Sequence, residues 1–302
     1  MRIVHISDLH IEPEPERRFP GLMASLERDR IQLRRTGADL IIVTGDVTNY
    51  GARYREHLVL AREWISGLGA PALTVPGNHD LGPSPARAVD NPENEAYQDV
   101  PYPETHYGTI FHPSPVVSHD LGSVRVIGIG LREGDPDGAL PRLERLLAAD
   151  DRPVILCGHY PVVDTRDADV SIEFGSAEFL PTTAPALLEL ILAHRNVAVY
   201  ACGHVHVNSV RPIGDHCVQM TAGGLGPGAS AYRIYDLDGH GLTYSTALGS
   251  GRLTFWEDLF DPPTAEEFSL GDAADRTGRI TWDRPTVGDP AGRPESRSVA
   301  HT

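Results

Sequence analysis

Five short clusters in the sequence carry the residue types that hold metal ions: Asp8-Leu9-His10, Gly45-Asp46, Gly77-Asn78-His79-Asp80, Gly158-His159 and Gly203-His204-Val205-His206. Each stands directly behind an apolar, largely β-branched run. Carboxylate, imidazole and amide oxygen suit borderline divalent cations such as Mn, Fe and Zn, and one shared carboxylate can hold two ions together. No thiolate is among them. Any single histidine of the set reads more simply as a structural residue, and Asp8 or Asp46 alone as a turn or cap residue. Turn chemistry does not explain five strand ends that each supply a ligand type, so the clusters are read as one metal site.

The elements that must position these residues alternate between strand and helix signals. Residues 2 to 7 read as a strand that delivers Asp8 and His10, and Asp39 to Thr44 as a strand buried on both faces that delivers Asp46. Ala72 to Val75 leads to Asn78 and His79, Pro153 to Leu156 to His159, and Val197 to Tyr200 to His204 and His206. Helical spacing fills 21 to 36, with Gly37 as a C-cap, and Tyr54, Leu58, Ala61, Ile65 and Leu68 share one face of a second helix. Further helices are expected around Leu140, Leu143, Leu146 and Leu147 and over Ala184 to Arg195, and a hairpin over Val116 to Ile129. Strand, helix, strand with short links is the right-handed crossover unit of a mostly parallel sheet, which brings all five clusters to one edge.

Two polar insertions, 81 to 115 and 163 to 182, interrupt this pattern. The first scatters Tyr97, Tyr102, His106, Tyr107, Phe111 and His112 along a long loop, where they either face a substrate or pack the loop down. Tyr97, Tyr102 and Tyr107 are the candidates for stacking on a nucleobase. The run Gly223-Gly224-Leu225-Gly226-Pro227-Gly228 has no helix after it and reads as a turn rather than a phosphate cradle. His5, His57, His194, His240 and His301 carry no ligand assignment.

At 302 residues with 40% hydrophobic and 23% charged residues, the chain reads as one α/β domain over residues 1 to 255 with a C-terminal tail, 256 to 302, that is expected to be partly disordered. The formal net charge of −16 argues against long nucleic acid and anionic membrane surfaces as general partners. Cys157, Cys202 and Cys217 are too few and too irregular for a disulfide framework and read as buried free thiols. The chain opens in a strand with no signal segment before it, and no run of eighteen apolar residues occurs, so no membrane span is predicted and a cytoplasmic location is expected.

In order, the clusters spell D-x-H, G-D, G-N-H-D, G-H and G-H-x-H, and over residues 1 to 247 the chain resembles the calcineurin-like metallophosphoesterases. Gly45-Asp46-Val47-Thr48 and Gly158-His159-Tyr160-Pro161 resemble the bacterial cyclic-nucleotide phosphodiesterase-like branch most, although Gly130-Leu131-Arg132 stands where that branch tends to carry an aspartate. The resemblance implies a four-layer α/β/β/α sandwich. It also implies a dinuclear metal centre of two divalent ions, one held by Asp8, His10, Asp46 and His206, the other by Asp46, Asn78, His159 and His204, with Asp46 as the bridge. A hydroxide between the ions would attack phosphorus, His79 would protonate the leaving oxygen, and Asp80 would orient His79. The function implied is hydrolysis of a small phosphate ester by a phosphodiesterase or phosphatase, with a nucleotide among the candidate substrates. A metal-dependent nuclease and a non-catalytic scaffold on the same fold are the alternatives. The acidic balance weighs against the first, and the full ligand set with His79 weighs against the second.

Overall fold

Apolar residues on both sides of most strands require cover on both faces of a sheet, and the structure supplies it twice. The computed structural model describes residues 1–13, 16, 18–82, 96–165, 183–228, 230–251 and 262–282. The first sheet has the order β12-β11-β10-β1-β2-β3, with β1 (Arg2–Ile6), β2 (Leu40–Thr44), β3 (Ala72–Val75), β10 (Ala231–Asp238), β11 (Gly241–Leu248) and β12 (Thr277–Thr281). The second has the order β4-β5-β6-β7-β9-β8, from β4 (Val116–Asp120), β5 (Arg125–Ile129), β6 (Val154–Cys157), β7 (Val197–Cys202), β8 (Ser209–Ile213) and β9 (Cys217–Thr221). Strands β1, β2 and β3 run parallel, as do β5, β6 and β7, so their carboxyl ends collect on one side.

Strand alternation sorts the core into three layers. Ile3, Ile42, Leu73 and Val75 of the first sheet meet Val126, Ile155, Val199 and Met220 of the second in the central layer. The opposite residues of the first sheet, Val4, Ile6, Ile41 and Val43, pack against α1 (Leu22–Arg35) and α2 (Arg55–Ser66). Those of the second, Ile127, Ile129 and Leu156, pack against α5 (Ala139–Leu147) and α6 (Ala184–Ala193). The result is the four-layer α/β/β/α sandwich. Short helices α3 (Asn78–Leu81) and α4 (His106–Ile110) lie between, and among the described residues no helix is long and apolar enough to cross a membrane.

Part of the tail is built into the fold. Residues 262 to 281, inside the segment expected to be loose, form α7 (Pro262–Leu270), α8 (Ala273–Arg276) and β12, which pairs antiparallel with β11 from Gly241↔Thr281 to Ser245↔Thr277. The sparse aliphatics that suggested disorder are placed where they count, with Ala265, Leu270 and Ile280 all buried. Hydrogen bonds at the backbone do the rest: fully buried Arg233 donates to the carbonyls of Thr221, Ser209 and Asp275, and the Asp275 carboxylate accepts from Val210 N at 2.8 Å. Residues 252–261 and 283–302 lie outside the described residues.

The aromatic loop is packed down. Tyr102 and Tyr107 are buried, Phe111 stacks on Tyr107 with ring centroids 4.6 Å apart, and Tyr107 Oη donates to Thr74 Oγ1 at 2.8 Å. Tyr97 lies under the Arg132 guanidinium, 5.4 Å from its centroid. Of the two readings of these side chains, the structure therefore gives packing for Tyr102 and Tyr107. Residues 166–182 of the second insertion and residues 83–95 of the first lie outside the described residues.

Candidate metal centre

Each candidate ligand sits just past a strand end: Asp8 and His10 after β1, Asp46 after β2, Asn78 at the start of α3 after β3, His159 after β6, and His204 and His206 after β7. Their backbones are unusual. Asp8, His10, Asp46, His204 and His206 have φ of 52°, 49°, 46°, 72° and 52°, and among the other described non-glycine residues only Asp135 and Ser230 are positive. A left-handed conformation costs an L-residue of order 1–3 kcal/mol and persists where its surroundings fix it, which is typical of functional sites. The motif glycines make room for the result. A Cβ at Gly77 would collide with the Asp46 carboxylate, and one at Gly203 with Ser7 Oγ and Asp8 Oδ2.

The side chains converge. His206 Nε2 lies 3.4 Å from Asp8 Oδ1 and 3.2 Å from His10 Nε2, so that Asp8, His10 and His206 form one triad. His159 Nε2 lies 3.3 Å from Asp46 Oδ2, 3.2 Å from Asn78 Oδ1 and 3.1 Å from His204 Nδ1, which makes Asp46, His159 and His204 another. Asp46 Oδ2 is also 3.9 Å from His10 Nε2 and 4.0 Å from His79 Nε2. One carboxylate oxygen thus stands between the two groups. All seven candidate ligands and His79 are buried except His204, which is partly exposed.

Hydrogen bonds behind the rings set which nitrogen faces inward. A carbonyl can only accept, so His159 Nδ1 donates to Thr44 O at 2.7 Å and Nε2 is the nitrogen turned toward Asp46 and Asn78. His79 Nδ1 likewise donates to Asn49 O at 2.9 Å, which leaves Nε2 facing Asp46 Oδ2. Asp80 bonds to the loops on either side of it. Its carboxylate accepts from Val47 N, Thr48 N, Thr48 Oγ1 and Gly77 N at 2.7 to 3.0 Å, which ties the Asp46 loop to the Asn78 loop; the Nδ1 proton of His79 is held by Asn49.

Electrostatics at the centre favour a cation. Burial pushes the His10 imidazole well below its ordinary value, helped by His79, so His10 offers a lone pair at neutral pH. Burial lowers His159 too, but the Asp46 charge outweighs it and holds His159 up to about 9. Asp46 itself is held well below the usual carboxylate range: burial opposes ionisation and the charges of His159 and His79 overcome it. Burial, then the Asp46 charge, pushes Asp80 up to about 7 against its donors. Imidazole nitrogens face each other at 3.2 Å (His10, His206) and 3.1 Å (His204, His159), an arrangement that needs a proton or a cation between them. The donor set of imidazole, carboxylate and amide oxygen fits borderline divalent ions.

The family model for calcineurin-like phosphoesterases matches residues 1–208. The chain belongs to this family, and with it to the metal-dependent phosphoric ester hydrolases. It is 26% identical over 213 residues to a probable cyclic nucleotide phosphodiesterase of Synechococcus sp., covering 68% of this chain and 73% of that one. A probable glycerophosphodiester phosphodiesterase of Arcobacter nitrofigilis is 27% identical over 224 residues, 68% of this chain and 72% of that protein. In fold the chain is similar to a dimetal phosphatase from Danio rerio, with a TM-score of 0.57 and 13% identity over 82% of this chain and 97% of that one.

Several residues that build the centre carry no sequence signal of their own. Thr44 and Asn49 act through backbone carbonyls, which any residue type supplies. The glycine run after β9 is more than a turn. Leu225 N donates to Ser7 O at 2.9 Å and Gly226 N to Asp8 O at 3.0 Å, and a Cβ at Gly226 would meet the Leu9 and Asp8 carbonyls at 2.6 and 2.7 Å. The absence of a following helix excluded a phosphate cradle, but only the fold reveals that this loop clamps the Asp8 turn.

Proposed function

We propose that the chain hydrolyses a small phosphate ester, a phosphodiester first among the candidates, using two divalent cations that share Asp46 and water as the nucleophile. The observation that carries this reading is Asp46 Oδ2, 3.3 Å from His159 Nε2 on one side and 3.9 Å from His10 Nε2 on the other. Asp8, Asp46, His10 and His206 would hold one ion, and Asp46, Asn78, His159 and His204 the other. When bound, such cations supply positive charge to the phosphoryl oxygens and ionise water near neutral pH. Mn, Fe and Zn all suit the donors.

The protein's own contribution is orientation and a proton. His79 N donates to Asp46 Oδ1 at 2.9 Å, which fixes the shared carboxylate while its other oxygen faces the ligand nitrogens. With its Nδ1 proton committed to Asn49 O, a protonated His79 presents a second proton on Nε2, 4.0 Å from Asp46 Oδ2 and at the edge of the centre. That proton passes to the leaving oxygen as the P–O bond breaks. The partly exposed His204 marks the side from which a substrate enters.

The names of both relatives support a diester. A net charge of −16 repels long polyanions and disfavours the nuclease reading. The test is a set of steady-state rates with Mn²⁺ on bis-p-nitrophenyl phosphate, p-nitrophenyl phosphate, a cyclic nucleotide, a mononucleotide and single-stranded DNA. Small diesters should give the highest kcat/KM, EDTA should abolish turnover, and added Mn²⁺ should restore it. A single-stranded DNA rate above all the others would favour the nuclease; two bound ions with no turnover on any substrate would refute hydrolysis.

A further inference from the structure

The loop that carries His204 and His206 bends through two left-handed residues, and both of its valines face the C-terminal helix rather than the sheet core. Val205 and Val207, 9% and 2% exposed, form a small cluster of their own with Ala265 of α7, and Phe268 packs against it. One residue further on, Asn208 N donates to Ser269 O at 2.7 Å, and Asn208 Oδ1 accepts from Gly223 N of the glycine loop at 3.1 Å. On the opposite side of His206 stands that same glycine loop, where a Cβ at Gly228 would meet His206 Cβ at 2.8 Å. His206 thus packs against Gly228 of the glycine loop, and the residues that follow and precede it in the chain, Val205, Val207 and Asn208, contact α7.

Helix α7 is itself anchored. Gly271 N closes its end on Glu267 O at 2.9 Å, and Asp272 caps α8 by accepting from Ala274 N and Asp275 N. The buried Arg233 and Asp275 then fasten that turn to β8 and β9. All of these anchors lie past residue 208, where the match to the family model stops.

We propose that α7 is a positioning element of the metal centre: Ala265 and Phe268, through Val205 and Val207, hold His204 and His206 in the strained conformation that aims their nitrogens at the two triads. A backbone in the left-handed region relaxes unless packing opposes it, and α7 supplies that packing. This rests on the metal reading given above. Partners that orient ligands are worth about 10- to 100-fold in metal affinity when lost.

The test compares full-length variants by calorimetric titration of the metal-free protein with Mn²⁺, alongside thermal unfolding without metal. Phe268→Ala should weaken Mn²⁺ binding by about 10-fold or more, and Phe268→Leu should restore most of it. Ile280→Ala serves as a control, since Ile280 is buried in the central layer on β12 of the same C-terminal segment, away from the valine cluster. It should lower the melting temperature at least as much as Phe268→Ala while leaving Mn²⁺ affinity at the wild-type value. Wild-type affinity in Phe268→Ala, or losses in both variants that track the melting temperature, would overturn the proposal. Absence of Mn²⁺ binding by the wild-type protein would instead refute the metal reading on which it rests.

Discussion

His79 donates its Nδ1 proton to the backbone carbonyl of Asn49, 2.9 Å away, and this bond settles which nitrogen can serve a substrate. With Nδ1 committed, only Nε2 remains to carry a proton toward the centre. Replacing His79 by Ala should keep both cations, because the seven candidate ligands are untouched, and should slow turnover by about 10²- to 10⁴-fold. The deficit should shrink on nitrophenyl esters, whose leaving group needs little protonation. An equal deficit on good and poor leaving groups would assign His79 to positioning.

Asp46→Ala removes the carboxylate whose Oδ2 lies 3.3 Å from His159 Nε2 in one triad and 3.9 Å from His10 Nε2 in the other. Two cations a few ångströms apart repel each other, and the shared carboxylate offsets that repulsion. Elemental analysis should therefore find fewer than two ions per chain, with metal-dependent turnover lost. Two tightly held ions in the variant would show that the carboxylate is not the bridge.

How much of this was legible beforehand depends on whether a residue acts through its side-chain type or through its shape. Asp8, His10, Asp46, Asn78, His159, His204 and His206 stand behind strands whose apolar runs fix their ends, and the parallel order of those strands brings them together. The same runs pointed to an α/β fold with a mostly parallel sheet, and the four-layer sandwich was implied by the family resemblance. Thr44 and Asn49 contribute carbonyls, the glycine run contributes an absence of side chains, and the left-handed ligands contribute a torsion; none of these has a residue-type signature. At the C-terminal end composition did not show which part of the tail folds: a segment with few aliphatics is ordered there because Ala265, Leu270 and Ile280 fall on buried positions. In the loop, two of the three tyrosines offered as stacking platforms, Tyr102 and Tyr107, are core.

Tyr107 makes that last point measurable. It is 0% exposed, stacked on Phe111 and bonded to Thr74 Oγ1. Tyr107→Phe should cost about 1 kcal/mol, the net worth of one hydrogen bond, and Tyr107→Ala about 3–5 kcal/mol in urea unfolding. KM for a nucleotide and for an aryl phosphate should stay together in the Phe variant. A selective rise in KM for the nucleotide would return the tyrosine to the substrate.

The three cysteines are buried at 0 to 1% exposure, and burial pushes each thiol up from its ordinary value, so none offers a thiolate at neutral pH. A thiol reagent such as dithionitrobenzoate should find no reactive group in the folded protein and three after denaturation. Fast labelling of even one cysteine without unfolding would contradict the packing of β6, β7 and β9.

Asp80 separates two roles that the sequence could not. Orienting His79 would make Asp80→Asn a turnover variant with normal stability and normal metal content. In the structure the carboxylate instead accepts four hydrogen bonds, from Val47 N, Thr48 N, Thr48 Oγ1 and Gly77 N, while fully buried. An amide in its place keeps one acceptor oxygen but turns an N–H₂ toward backbone donors, and each buried donor left unsatisfied costs about 1–3 kcal/mol. Asp80 bonds both loops, the one that carries Asp46 and the one that carries Asn78, beside the bond from His79 N to Asp46 Oδ1, so their registration should loosen together. Asp80→Asn should thus unfold at lower urea concentration and bind Mn²⁺ more weakly, with the fall in kcat/KM at limiting metal largely recovered at saturating metal. A variant with unchanged stability and metal affinity but reduced kcat would restore to Asp80 the role of orienting His79.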